Sequence, residues 1–343
     1  MRDRRVRERS ARAASAPAQP ASPYRAPRWL AGGHAQTIWP YRLRRVNVPL
    51  RRERVETPDR DFWDFDWLDA EAAPDAPVVV LFHGLEGGSM SHYARALLVA
   101  LARRSWRGVV PHFRGCGGEP NRLPRAYHSG DHEEIGAMLT AVRARIAPAA
   151  TLYAVGVSLG GSALLNWLGR AGTDAGSTLR AAAAVSAPLD LMAAGIAIGK
   201  GMNRIYARHF LATLKPKSLA IAKRFPGLLD AAKIRRARTL YEFDDVVTAP
   251  LHGFAGTRDY WTRASSKPWL AGIGVPTLVL NARNDPFIPS HSLPTERDVS
   301  PFVTLEQPRH GGHAGFAHGR FPGSVDWLPG RLLHYFDTAG APR

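Results

Sequence analysis

The 343-residue chain contains a single cysteine, Cys116. That excludes an intramolecular disulfide framework and leaves too few thiols for a cysteine-rich zinc site. Long apolar runs are missing too: no window reaches the roughly 18 consecutive apolar residues of a membrane-spanning helix. The first thirty residues likewise hold no apolar stretch of the secretory type. A cytoplasmic location is the resulting expectation. Acidic residues are few beside basic ones, 29 against 46, for a formal charge of +17. Residues 1–60 carry fifteen Arg and five Asp or Glu, a net +10, so much of the excess belongs to one end of the chain.

Residues 1–26, "MRDRRVRERSARAASAPAQPASPYRA", have almost no large apolar side chain and cannot bury enough surface to offset their ordering entropy. They read as a disordered basic arm, either simply solvated or a tether to an anionic membrane or nucleic acid. Asp3 and Glu8 argue against a transit peptide. The remaining residues, 27–343, are those of a globular protein. "VNVPL" (46–50), "RVETP" (54–58) and "DFWDFDWL" (61–68) suit antiparallel strands at a sheet edge. Six short continuous apolar runs follow, separated by helical patterns: "VVVLF" (78–82), "GVVPHF" (108–113), "LYAVGV" (152–157), "AAAAVSA" (181–187), "PTLVLNA" (276–282) and "FVTLEQ" (302–307). Runs of this kind are strands buried on both faces, and their alternation with helices predicts a mostly parallel, doubly wound α/β sheet. Almost ninety residues separate the fourth and fifth runs, far more than the dozen or so that a crossover requires. The surplus predicts a helical cap insertion, about 189–250, with Leu189, Leu191, Met192, Ile196, Ile198 and Met202 as candidates for lining an apolar slot.

In "VGVSLGG", Gly156-Val157-Ser158-Leu159-Gly160 fits G-x-S-x-G between a strand and a helix. A strand that reverses abruptly into a helix strains its turn residue and projects the side chain above the sheet. The flanking glycines remove the side chains that would collide. Ser158 is thus a candidate nucleophile, and the Leu159 amide at the helix start is a candidate oxyanion donor. A serine needs a base held by a carboxylate, in the chain order Ser, acid, His. Asp285 in "NARNDPFIP" lies at the carboxyl edge of a buried strand and is preferred to Asp190. "RHGGHAGFAHGR" offers His310, His313 and His318; small neighbours favour His313 as the base, with His310 as the alternative. The spacing of the three gives little reason to expect a metal. After the first parallel strand, "HGLEGGS" makes the Leu85 amide the second candidate oxyanion donor.

With these pieces assembled, the chain resembles the α/β-hydrolase superfamily, and within it the YheT-like branch that includes eukaryotic ABHD-type lipid esterases. The resemblance runs through "PRWLAGGHAQTIWP" (27–40), "HGLEGGSMSHYARAL" (83–97), "HFRGCGGEPNRLPRAYHSGD" (112–131), "GVSLGG" (156–161), "APLHGFAGTRDYW" (249–261), "NDPFIP" (284–289) and "HGGHAGF" (310–316). It implies a Ser158–Asp285–His313 triad and hydrolysis of carboxylic esters, such as medium-chain acyl esters or acylglycerols, without a cofactor. The family often has two acids before the proline, where this chain has Asn284. Arg114, Cys116, Asn121 and Asp131 recur in those stretches without an evident chemical role, and "YHSGDHEE" reads as a solvated loop and helix start. Acyl transfer or amide cleavage on the same scaffold remains an alternative, as does a non-catalytic basic surface binder. No nucleic-acid motif accompanies the charge, so no specific nucleic-acid partner is expected.

Overall fold

A computed structural model of the chain describes residues 23–43, 48–68 and 71–339. Most of the predicted arm, residues 1–22, lies outside the described residues. Its predicted boundary at Ala26 is corrected: Tyr24 is buried, its ring lies edge-on to Phe316 and Trp327, and its hydroxyl donates to the Ala317 carbonyl at 2.6 Å.

Eight strands form one sheet: β1 (Arg51–Glu56), β2 (Phe62–Leu68), β3 (Val78–Phe82), β4 (Arg107–Pro111), β5 (Leu152–Val157), β6 (Ala181–Val185), β7 (Thr277–Leu280) and β8 (Val303–Glu306), in the order β1-β2-β4-β3-β5-β6-β7-β8. The β1/β2 and β2/β4 pairs are antiparallel; the other pairs are parallel. The continuous apolar runs become strands β3 to β8, with β3, β5, β6 and β7 buried along their whole length between two hydrophobic layers. "VNVPL" forms no strand where described, at Val48–Leu50.

The first strand, "RRERVE", has little apolar pattern, and its register is set by charge. Arg52 lies opposite Asp66 and Arg54 opposite Asp64, with N–O distances of 2.7 and 2.9 Å. Facing opposite charges stabilise a strand pair, and with the carboxylates buried, a slipped register would leave them unpaired.

Around the sheet lie α1 (Gly33–Ile38), α2 (His92–Arg103), α3 (His132–Arg143), α4 (Leu159–Ala171), α5 (Leu191–Ile198), α6 (Arg204–Arg224), α7 (Thr257–Ala264) and α8 (Trp327–Thr338). Helix α2 buries Ala94, Leu97, Leu98 and Leu101, the three-and-four spacing of one helical face. Helices α5 to α7, with shorter turns at Ala231–Arg236 and Leu240–Phe243, fall between β6 and β7.

The expectation of a solvated "YHSGDHEE" loop is corrected. Asp131 and Glu134 are buried, and His128 packs edge-on against His252, Phe254 and Tyr260. Two cations offset these carboxylates: Arg125, which pairs with Asp131 at 2.6 Å, and Arg114, itself buried. For Arg114 the contacts are several. Its guanidinium bonds Glu134 at 2.9 and 3.2 Å, Asp59 at 2.9 Å and Asp61 at 3.1 Å. Asn121 ties the same cluster to β2 through Asp61 and the Phe62 carbonyl. Arg114 and Asn121, without an evident role in the sequence, therefore fasten the loop after β4 to the sheet edge. Arg114→Met is expected to cost about 3–5 kcal/mol by urea unfolding, because it strands buried carboxylates without their cation. A loss below about 1 kcal/mol would show that the cluster stands without it.

Candidate active site

The geometry of Ser158 follows from the turn between β5 and α4. Its φ of 54° and ψ of −123° put it in a region that L-residues seldom occupy. Close packing of α4 on the strands imposes this. A Cβ on Gly156 would lie 2.5 Å from the Gly160 carbonyl oxygen, and one on Gly160 would lie 2.5 Å from the Phe82 and His83 oxygens. Only glycine fits at either place, and Ser158, held by its amide donating to the Val185 carbonyl at 2.9 Å, takes up the strain.

The predicted acid and base converge on it. Asp285 follows the end of β7, accepts the Phe287 amide on Oδ1 at 2.8 Å and faces His313 Nδ1 with Oδ2 at 2.8 Å. His313 Nε2 lies 2.9 Å from Ser158 Oγ. These partners assign the tautomer: Nδ1–H donates to the carboxylate, and Nε2 accepts from the hydroxyl. The Phe287 ring, 4.3 Å from the imidazole, backs the histidine. His310 faces the Asn284 amide at 3.4 Å, His318 pairs with Ser324 in a small bridge, and Asp190 caps α5 by accepting from the Ala193 amide at 2.9 Å. None of these three enters the Ser158 cluster. Among the described residues, no group of three or more His, Cys, Asp or Glu is placed to hold a metal.

Sequence reasoning missed what holds the histidine loop. Gln36 and Thr37 on α1 accept the amides of Gly311 and His313 at 2.7 and 2.9 Å, and Ser186 Oγ accepts that of Ala314 at 2.9 Å. Asn284 accepts the Gly312 amide at 3.0 Å while donating to Gln36 Oε1 at 3.1 Å. A carboxylate could make only the first of these bonds, which accounts for the amide where two acids often stand. Gly312, at φ 62°, has no room for a side chain: a Cβ would sit 2.8 Å from both the Gln36 Cβ and the Thr37 nitrogen.

The loop after β3 is similarly fixed. His83 is fully buried, and that burial pushes its imidazole down to about 3. The neutral ring donates from Nδ1 to the Gly84 carbonyl at 2.8 Å and accepts the Phe113 amide on Nε2 at 3.1 Å. Tyr93 and Tyr127 hydroxyls accept the amides of Gly84 and Glu86. Among the described residues, neither the Leu85 nor the Leu159 amide has a protein acceptor. Gly84 packs against Ser158, where a Cβ would come within 3.1 Å of the serine Cβ.

Ser158, His313, Leu85 and Leu159 open on a cavity of about 490 Å³. Of the six apolar candidates only Leu191 and Ile198 line it; Ile196 and Met202 are exposed, Leu189 is in the core, and Met192 faces another depression. Further along the insertion Phe210, Leu214, Ile221 and Val247 add to its apolar wall, and Leu123, Tyr127, Phe287 and Ile288 join them from outside it. In that wall Asp244 accepts bonds from Thr248 and Trp261, and burial raises its carboxyl to about 6.

Residues 77–319 match the model of the alpha/beta hydrolase fold family. YheT of Escherichia coli (strain K12) is 40% identical over 309 residues, 89% of this chain and 90% of that protein. The chain belongs to the α/β-hydrolase family, in its YheT-like branch. Homo sapiens phospholipase ABHD3 is 31% identical over 303 residues, 86% of this chain and 73% of its own length. The Pyrococcus furiosus esterase Pf2001 has the same fold, with a TM-score of 0.56 at 15% identity over 86% of this chain and 92% of that one.

For this hydrolase, Thr37→Val tests the support of the histidine loop. The unpaired His313 amide is expected to cost about 1–3 kcal/mol of stability, and the displaced imidazole about tenfold or more in ester turnover. Turnover equal to that of the parent protein would show that the loop is positioned by other contacts.

Proposed function

We propose that this α/β hydrolase cleaves carboxylic esters through an acyl-enzyme formed on Ser158. One observation carries this reading: the unbroken relay from Ser158 Oγ through His313 to Asp285, at 2.9 and 2.8 Å, at the foot of an apolar cavity. Ser158 Oγ attacks the ester carbonyl as His313 Nε2 takes its proton, and Asp285 stabilises the imidazolium. The Leu85 and Leu159 amides donate to the carbonyl oxygen as it becomes an oxyanion. Collapse of this adduct breaks the ester C–O bond, and the alcohol leaves with the proton from His313. Water, deprotonated in turn by His313, attacks the acyl group, releasing the acid and restoring Ser158.

The inserted segment, about 189–250, acts as a cap, and the apolar wall it contributes suits the acyl chain of medium-chain esters or acylglycerols. The names of relatives, a phospholipase among them, are consistent with a lipid ester. Ser158→Ala should lower turnover of p-nitrophenyl acyl esters by about 10⁴-fold or more and abolish labelling by a fluorophosphonate. Equal rates for the two proteins would sink the proposal.

The protein also makes peripheral contact with anionic membranes in this reading. Trp29, Trp39 and Phe321 form one ring cluster with centroids 5.4 to 5.7 Å apart; Trp29 and Phe321 are exposed, and so are Arg28 and Arg320 beside them in the chain and Arg42 a little beyond Trp39. Aromatic rings beside cations suit an anionic headgroup layer. Sedimentation with phosphatidylglycerol vesicles is expected to exceed that with phosphatidylcholine, and the double variant W29S/F321S to weaken it by about tenfold or more. Equal sedimentation with the two lipids would remove the membrane from the proposal.

A further inference from the structure

Glu86, the residue after the proposed oxyanion donor Leu85, is placed unusually for a carboxylate. It has a positive φ of 54°, its side chain is only 8% exposed, and with Leu85 it lines the cavity that holds Ser158. Unbalanced negative charge here would oppose the negative charge that develops on an ester oxygen at the Leu85 amide.

Three groups address Glu86, the weakest being the Cys116 thiol, with Sγ 3.9 Å from Oε1. Tyr127 accepts the Glu86 amide on its hydroxyl oxygen at 2.8 Å and donates that hydroxyl to Oε1 at 3.0 Å, while its ring stacks on Phe113 with planes 5° apart. Tyr127 is neutral, burial having raised its hydroxyl well above the ordinary range, so it fixes Glu86 without cancelling its charge. The cation is Lys217, with Nζ 2.9 Å from Oε1 and 2.8 Å from Oε2. Among the described residues no other cation pairs with Glu86.

Lys217 belongs to α6, which runs along the cavity and is fastened to the body at both ends. Near its start Tyr206 meets His34 at 3.2 Å, and at its end Arg224 donates to the Asn121 and Arg122 carbonyls at 2.6 and 3.0 Å. Between these ties, Lys217 follows Pro216, whose missing N–H interrupts the helical ladder. We propose that Lys217 is a positioning residue for the hydrolysis: by pairing with Glu86 it holds the Leu85 amide in place and cancels the carboxylate charge beside the forming oxyanion. The oxyanion site is then complete only while α6 is seated over the cavity. This inference rests on the esterase reading above.

A charge-balance cycle tests it, using a short soluble p-nitrophenyl ester and the full chain. Lys217→Met is expected to lower kcat by about tenfold with KM within about twofold, because transition-state rather than ground-state interactions are lost. Lys217→Arg should keep most of the activity. The double variant E86Q/K217M, which removes both charges and leaves a side chain that still accepts from Tyr127, should recover most of the kcat lost in Lys217→Met. An unchanged kcat in Lys217→Met, a raised KM alone, or a double variant as slow as Lys217→Met would each overturn the proposal. Melting temperatures measured in parallel separate a folding defect, which the double variant would not repair. An inactive, unlabelled parent protein would reject the esterase reading itself; an active parent with an unaffected Lys217→Met would reject only this inference.

Discussion

The site depends on one steric constraint, the approach of α4 to β3 and β5 to within the reach of a single Cβ. Gly156 and Gly160 permit that approach, and the residue between strand and helix absorbs it in its backbone. The serine is thereby lifted above the strand ends, and the first amides of α4 are left without helical acceptors. Projection and free donors are therefore two results of one packing event. Gly84, pressed against the Ser158 side chain, extends the constraint to the loop after β3, so both proposed donors are indexed to the same turn.

The other two members of the cluster are placed by loops, and loops need their amides satisfied before they can be rigid. Four side chains from three parts of the chain, Gln36 and Thr37, Ser186 and Asn284, accept four consecutive amides around His313. The loop after β3 has Tyr93 and Tyr127 in the same capacity, while His83 donates to its Gly84 carbonyl. Rigidity at the site is thus a property of polar contacts, whereas rigidity of the sheet is a property of apolar layers.

This division explains what could be read in advance. Strands β3 to β8 were legible because burial on both faces leaves continuous apolar runs, and Ser158 because its glycines mark a backbone constraint within five residues. The convergence of Asp285 and His313 on Ser158 was expected from chain order and small neighbours. The true limits of β1 were not, since its register comes from Arg52 and Arg54 meeting carboxylates ten and more residues away. Gln36 and Thr37 were opaque for a similar reason: nothing near them in the chain indicates partners some 275 residues on. The buried Arg114 cluster was misread because charged letters in "YHSGDHEE" look solvated until their counter-ion is located.

Tyr24 gives the amino-terminal end a mechanical connection to this machinery. Its hydroxyl grips Ala317, four residues beyond His313, and its ring leans on Phe316 within the same turn of chain. The first described residues are thereby anchored to the segment that carries the imidazole.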